Sequence, residues 1–225
     1  MERNDVNGKR GVSYEDAFRE ITTQMVSEVA LAYGKKENGE YTVEDYYALP
    51  DDQRVELIDG FFFDMEAPGF KHQQAVGEIY RQIANYIVDR GGSCLPFVSP
   101  VDVRLDCDNR TMVQPDVGII CDRDKVKRWG IFGAPDFLIE VLSPSTRMKD
   151  MLIKKGKYQR AGVREYWMVD LRQRKVLVYL FETMDEKEGP AIYGLEDRIP
   201  IKIYNGDLTV DMSVMLSWAQ AEYPE

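Results

Sequence analysis

Glu140 interrupts the apolar run Phe137-Leu138-Ile139-Glu140-Val141-Leu142, which lies between Gly133-Ala134-Pro135 and Ser143-Pro144-Ser145. A short apolar run between turn signals predicts a strand covered on both faces. An unpaired ionised carboxylate in such a strand costs several kcal/mol, so Glu140 is expected to be neutral, paired or bound to a metal. Asp116 sits in a second run of this kind, Val113-Gln114-Pro115-Asp116-Val117-Gly118-Ile119-Ile120. Two acids in separate apolar strands are common raw material for a divalent-cation site, whose chemistry is hydrolysis by an activated water. The plainer reading is two strand-end acids, each satisfied by backbone amides or an arginine.

Asp150, Lys154 and Tyr158 follow at spacing i, i+4, i+8 and share one face of a predicted helix. Alone, they read as an exposed Asp–Lys pair beside an aromatic, worth a few tenths of a kcal/mol. Position changes the reading, because a short loop after Glu140 folds this helix back across the sheet and brings Lys154 toward the carboxylates. Lys155 and Lys157 are close in number but about 100° and 300° around the helix from Lys154. Trp167 and Tyr166 read as core, and Tyr158 as a packing residue.

The elements that must position these groups come from periodicity and turn chemistry. From residue 13, Tyr14, Phe18, Ile21, Met25, Val29 and Ala32 recur at helical spacing up to Gly34, and Ser13 with Asp16 resembles a capping box. Thr42 and Asp45 cap a second, short helix. Asp59-Gly60 between 54–58 and 61–65 is a hairpin signal. A helix is predicted over 72–89, strands near 94–98, 101–105 and 113–121, and a charged connection over 122–133. A helix over 145–161 ends at Gly162, strands follow at 164–171 and 175–181, and short strands near 191–193 and 199–203 end the regular structure. The alternation predicts an α/β or α+β fold with a mixed sheet. Residues 1–40 form an N-terminal extension with an amphipathic helix, and 41–225 form the main domain.

The chain has 225 residues, 44% hydrophobic and 30% charged, which is ordinary for a protein that buries a real core. Lys+Arg 29 against Asp+Glu 39 gives a net charge of −10, so a polyanionic partner would need a local basic patch, a bridging metal or an oligomer. No apolar stretch reaches the ~18–20 residues that span a bilayer. Cys94, Cys107 and Cys121 are odd in number and lack CxxC spacing, so they read as free thiols. With no apolar signal sequence at the N-terminus, a cytoplasmic protein without membrane attachment is expected. The amphipathic N-terminal helix with Met212 and Met215 in the tail predicts a homo-oligomer, at least a dimer.

The pattern of acids resembles the PD-(D/E)XK restriction-endonuclease-like superfamily, and more closely its Uma-type restriction-endonuclease family. The matching segments are VELIDG (55–60), VQPDVGIIC (113–121), GAPDFLIEVLSPST (133–146), DMLIKKGKYQRAGV (150–163) and REYWMVD (164–170), within roughly 41–210. The resemblance implies a mixed central sheet flanked by helices, with residues 1–40 outside it. In the superfamily the lysine stands two residues after the acid, where this chain has Leu142. The resemblance implies that the lysine has moved to the next helix, at Lys154. It implies further that Asp116, Glu140 and the Val141 carbonyl hold Mg²⁺ or Mn²⁺, that Lys154 orients water or stabilises developing charge, and that Glu56 assists. His72 matches a histidine at the family's helix start and reads as a capping or packing residue.

The function expected is therefore metal-dependent endonuclease hydrolysis of DNA phosphodiesters. Two alternatives stand beside it: a non-catalytic interaction or assembly protein with a nuclease-like fold, and a hydrolase of another phosphoester.

Overall fold

The computed structural model describes residues 14–25, 36, 39–50, 52–105, 108–144, 146–183 and 189–220. The helix α1 spans Tyr14–Met25, and its predicted continuation to Gly34 lies outside the described residues. Helix α2 (Val43–Tyr47) carries the predicted capping box, with the Thr42 side chain on the Asp45 amide and the Asp45 side chain on the Thr42 amide. The hairpin β1 (Val55–Ile58) and β2 (Phe61–Asp64) turns at Asp59 and Gly60, with φ of 52° and 84°. Both lie in the left-handed region that a two-residue hairpin turn requires.

Helix α3 (Phe70–Asp89) is followed by β3 (Leu95–Val98), β4 (Asp102–Arg104) and β5 (Val117–Ile120). The charged connection is not a plain loop: it contains β6 (Val126–Lys127) and β7 (Gly130–Phe132), which join β4 in a three-stranded sheet. Strand β8 (Phe137–Val141) precedes a π-helix, Lys149–Lys154, that runs into α4 (Lys155–Ala161), and Gly162 caps α4 in the left-handed conformation. Strands β9 (Glu165–Asp170), β10 (Lys175–Leu180) and β11 (Ala191–Gly194) complete a six-stranded sheet of order β11-β10-β9-β8-β5-β3. Only the β8–β9 pair in that sheet is parallel, so the chain must cross over between them, and the π/α4 helix is that crossover.

Strand alternation sorts the core into two layers. Phe137, Ile139 and Val141 face the α3 stripe Ala75, Val76, Ile79, Ile83 and Ile87, together with Trp167 and Val169. Leu138 faces the other layer with Ile153, Tyr158, Tyr166 and Met168, and Glu140 shares its parity. α1 lies against β2 and the π-helix, with Phe18 edge-on to Phe61 at 5.2 Å between ring centroids.

Several expectations are corrected. Regular structure does not end near residue 203: β12 (Arg198–Pro200) pairs with β13 (Thr209–Asp211), and α5 (Ser213–Gln220) follows. Strands this short carry too few residues for periodicity to register. Met212 and Met215 are buried in the chain's own core, so they offer no free self-association surface. Cys94 and Cys121 are not free thiols: they form a disulfide at adjacent ends of β3 and β5, one step beyond the pair Leu95↔Ile120, and Cys107 lies outside the described residues. Among the described residues no helix is long and apolar enough to cross a membrane.

Candidate active site

Asp116 immediately precedes β5, and the antiparallel register Val117↔Ile139, extended by one residue, sets it opposite Glu140. Asp116 Oδ2 accepts the Val141 amide at 2.8 Å and lies 3.2 Å from His72 Nε2. His72 stands in the first turn of α3, on the stripe that continues through Val76, Ile79 and Ile83, with its Nδ1 buried and without a hydrogen-bond partner. It therefore reaches the acids and does not cap the helix, whose N-cap, Gly69, has no side-chain cap bond.

The crossover supplies the cations. Lys154 Nζ lies 2.9 Å from Glu140 Oε1, 2.8 Å from Glu56 Oε1 and 3.5 Å from Asp150 Oδ1. Tyr158 donates its hydroxyl to Glu140 Oε1 at 2.7 Å. Glu56, on β1, is fully buried: its Oε2 takes Lys149 Nζ at 2.7 Å and its Oε1 takes the Gln114 amide at 3.0 Å. The predicted site residues Glu56, Asp116, Glu140, Asp150, Lys154, Tyr158, His72 and the Val141 backbone thus come together. Lys155 and Lys157 turn elsewhere, to the Tyr179 ring and to Asp59.

Lys149 was missed by sequence reasoning. In an α-helix it stands five residues, or about 140° around the axis, from Lys154. A π-helix closes i→i+5 bonds, so the same two lysines come onto one side and flank Glu56. No α-periodic signal could have found it.

Buried charges decide the electrostatics. Burial raises the Glu56 carboxyl, but Lys149 and Lys154 outweigh it and hold it down at about 2. Burial pushes Glu140 up to about 8, because Lys154 is shared and Asp150, Asp116 and Glu56 add repulsion. Asp150 is raised too, by burial against the pull of both lysines. Lys154 is held well above its usual value, since Glu140, Glu56 and Asp150 overcome the cost of burial. His72 is raised because Asp116 outweighs its burial.

These groups wall a cavity of about 460 Å³. Its charged lining is Glu56, Glu66, Asp116, Glu140 and Asp150 against Arg54, Lys149 and Lys154, a formal surplus of two negative charges when every carboxyl is ionised and His72 is neutral, the state that a bound cation would favour. Asp150 Oδ1 is buried and lacks a hydrogen bond, Lys154 standing 3.5 Å away. Both observations fit a divalent cation. No three His, Cys, Asp or Glu side chains converge on one point among the described residues. The donors that could hold an ion are the two carboxylates of Asp116 and Glu140 and the Val141 carbonyl, completed by water, a set suited to a hard cation that keeps part of its hydration.

Residues 43–211 match the sequence model of the family described as "Uma2: Putative restriction endonuclease". Among solved structures, the chain is similar to a protein described as a putative nuclease belonging to DUF820 from Anabaena variabilis ATCC 29413. The similarity has a TM-score of 0.64 at 19% identity and covers 79% of this chain and 98% of that one. No curated protein matches the chain.

Proposed function

This chain belongs to the Uma2 restriction-endonuclease family, and from that premise we propose that it is a divalent-metal-dependent endonuclease hydrolysing phosphodiester bonds of DNA. The observation that carries the reading is the Lys154 ammonium held 2.9 Å from Glu140 beside Asp116, at the wall of a carboxyl-lined cavity. When bound, Mg²⁺ or Mn²⁺ supplies neutralisation of the phosphoryl oxygens and a more acidic water.

The chain's own residues divide the remaining work. Asp116, Glu140 and the Val141 carbonyl hold the ion, with Asp116 aimed by the Val141 amide and His72. Tyr158 fixes the Glu140 rotamer. Glu56 and Lys149 anchor Lys154, which donates to charge developing on the phosphoryl group. Hydrolysis of a small phosphoester is the second reading, favoured by the net charge of −10, which repels a duplex more than a small anion.

Plasmid nicking in Mg²⁺ or Mn²⁺ against EDTA tests the proposal, with a base-free diester, bis(p-nitrophenyl) phosphate, in parallel. Glu140→Gln and Lys154→Met are expected to abolish nicking while circular dichroism shows a folded chain. Nicking that persists in purified Glu140→Gln removes the endonuclease reading. Diester hydrolysis without nicking favours the small substrate.

A further inference from the structure

A net charge of −10 leaves open where a DNA strand could be held. Residues 122–133 carry Arg123, Lys125, Lys127 and Arg128 against Asp122 and Asp124, a local excess of positive charge. Arg123 donates to the Ser93 carbonyl at 2.9 Å, Lys125 to the Ala134 carbonyl at 2.9 Å and Lys127 to the Asp124 carbonyl at 2.6 Å. These acceptors are neutral, so they position the cations without cancelling their charge.

The β6–β7 hairpin pairs Lys127 with Gly130, leaving Arg128 and Trp129 as its two-residue turn. Gly130 makes this placement possible: a Cβ there would fall 2.2 Å from the Asp102 carbonyl oxygen, so no other residue lets β7 lie this close to β4. Trp129, pinned at the turn, remains 42% exposed. Beneath it runs a groove of about 600 Å³ with apolar walls from Leu95, Phe97, Ile120 and Ile131. The groove adjoins the cavity of Asp116 and Glu140, since Pro100 and Gln114 line both. Asp102 also borders it, fixed by the Tyr46 hydroxyl at 2.9 Å and the Gln114 amide at 2.8 Å, and its negative charge turns phosphate away from the groove's interior.

We propose that this groove is a nucleobase subsite: an unpaired base next to the scissile phosphate stacks on Trp129, and Lys127 and Arg128 take its backbone phosphate. The substrate is then single-stranded or locally unpaired DNA, because a closed duplex offers no free base face to an aromatic wall. The inference rests on the endonuclease reading and names the substrate class of that site.

Fluorescence anisotropy with labelled single-stranded and duplex oligonucleotides, run with the full chain in EDTA to prevent cleavage, reads the subsite directly. Wild type is expected to bind the single strand more tightly than the duplex. Trp129→Ala weakens single-strand binding about tenfold, in line with the loss of one stacked base, while Trp129→Phe retains most of it. Lys127→Ala with Arg128→Ala weakens both ligands and flattens the salt dependence. Single-strand binding that is indifferent to Trp129→Ala, or wild-type binding of duplex as tight as single strand, overturns the subsite. The endonuclease reading fails separately, through hydrolysis that survives Glu140→Gln, and that result leaves the binding measurement intact.

Discussion

Two glutamates are buried in neighbouring parallel strands, and their surroundings could hardly differ more. Glu165, at the start of β9, lies level with Phe137, on the α3 side of the sheet with Trp167. Glu140, near the end of β8, points to the opposite side, toward the crossover helix. Glu165 accepts the Trp167 indole at 2.8 Å and the backbone amides of Lys202 and Ile203 at 2.7 and 3.0 Å. All three donors are neutral and fixed by the fold, and they tie the turn at Lys202–Tyr204 to the sheet. Glu140 instead shares one ammonium with Glu56 and Asp150 and borders a carboxyl-lined cavity. Burial alone therefore does not mark a site. The discriminating feature is whether the partners are neutral groups the fold provides, or a cation contested by several acids beside open space.

The largest effect that would break this contrast is kinetic. Glu140→Gln is expected to lower the hydrolysis rate at least ~10²-fold, the scale of removing one electrostatic contact to the reacting group. Glu165→Gln should leave the rate within about threefold, because its contacts end in structure. Steady-state rates on one diester decide it, and equal losses would erase the distinction.

The next effect concerns stability. Glu56→Gln leaves Lys149 and Lys154 buried with a weakened partner, and about 3–5 kcal/mol is the scale for breaking such a network. Urea unfolding measures it, and a loss below about 1 kcal/mol would mean that the lysines find other partners.

The same residue governs acid sensitivity. The Glu56 carboxyl sits at about 2 in the fold against an ordinary 4.5. A depressed carboxylate stabilises the fold above its unfolded value, so this contribution is lost as pH falls from about 4.5 toward 2. Denaturant midpoints across that window should fall in the wild type and flatten in Glu56→Gln; parallel curves would contradict the assignment.

The smallest effect belongs to Glu165→Gln, which keeps one acceptor oxygen and presents an amide to donors. About 1–3 kcal/mol is expected from the unsatisfied bonds, read as a lower Tm with the rate retained.

Much of the fold could be read locally. The Thr42–Asp45 capping box, the Asp59-Gly60 turn and the Gly162 cap each depend on residues a few positions apart, and each appears as expected. The acids at 116 and 140 stood out because apolar strand sequence makes a carboxylate conspicuous. Other features had no local signal. The Cys94–Cys121 bridge depends on β3 pairing with β5, and the burial of Met212 and Met215 depends on α5 returning to the α3 layer.

What the sequence determined by itself is the inventory: which residues form strands, which strands carry acids, and which helix carries lysines. Those facts follow from periodicities and propensities that act over one or two turns of chain. The tertiary structure alone decided the partners. Strand order set Asp116 opposite Glu140 and carried Lys154 between Glu56 and Glu140, and the widened π-turn brought Lys149 to the same carboxylate. Charge pairing falls off over a few ångströms, so it depends on distances that no local pattern in the chain specifies.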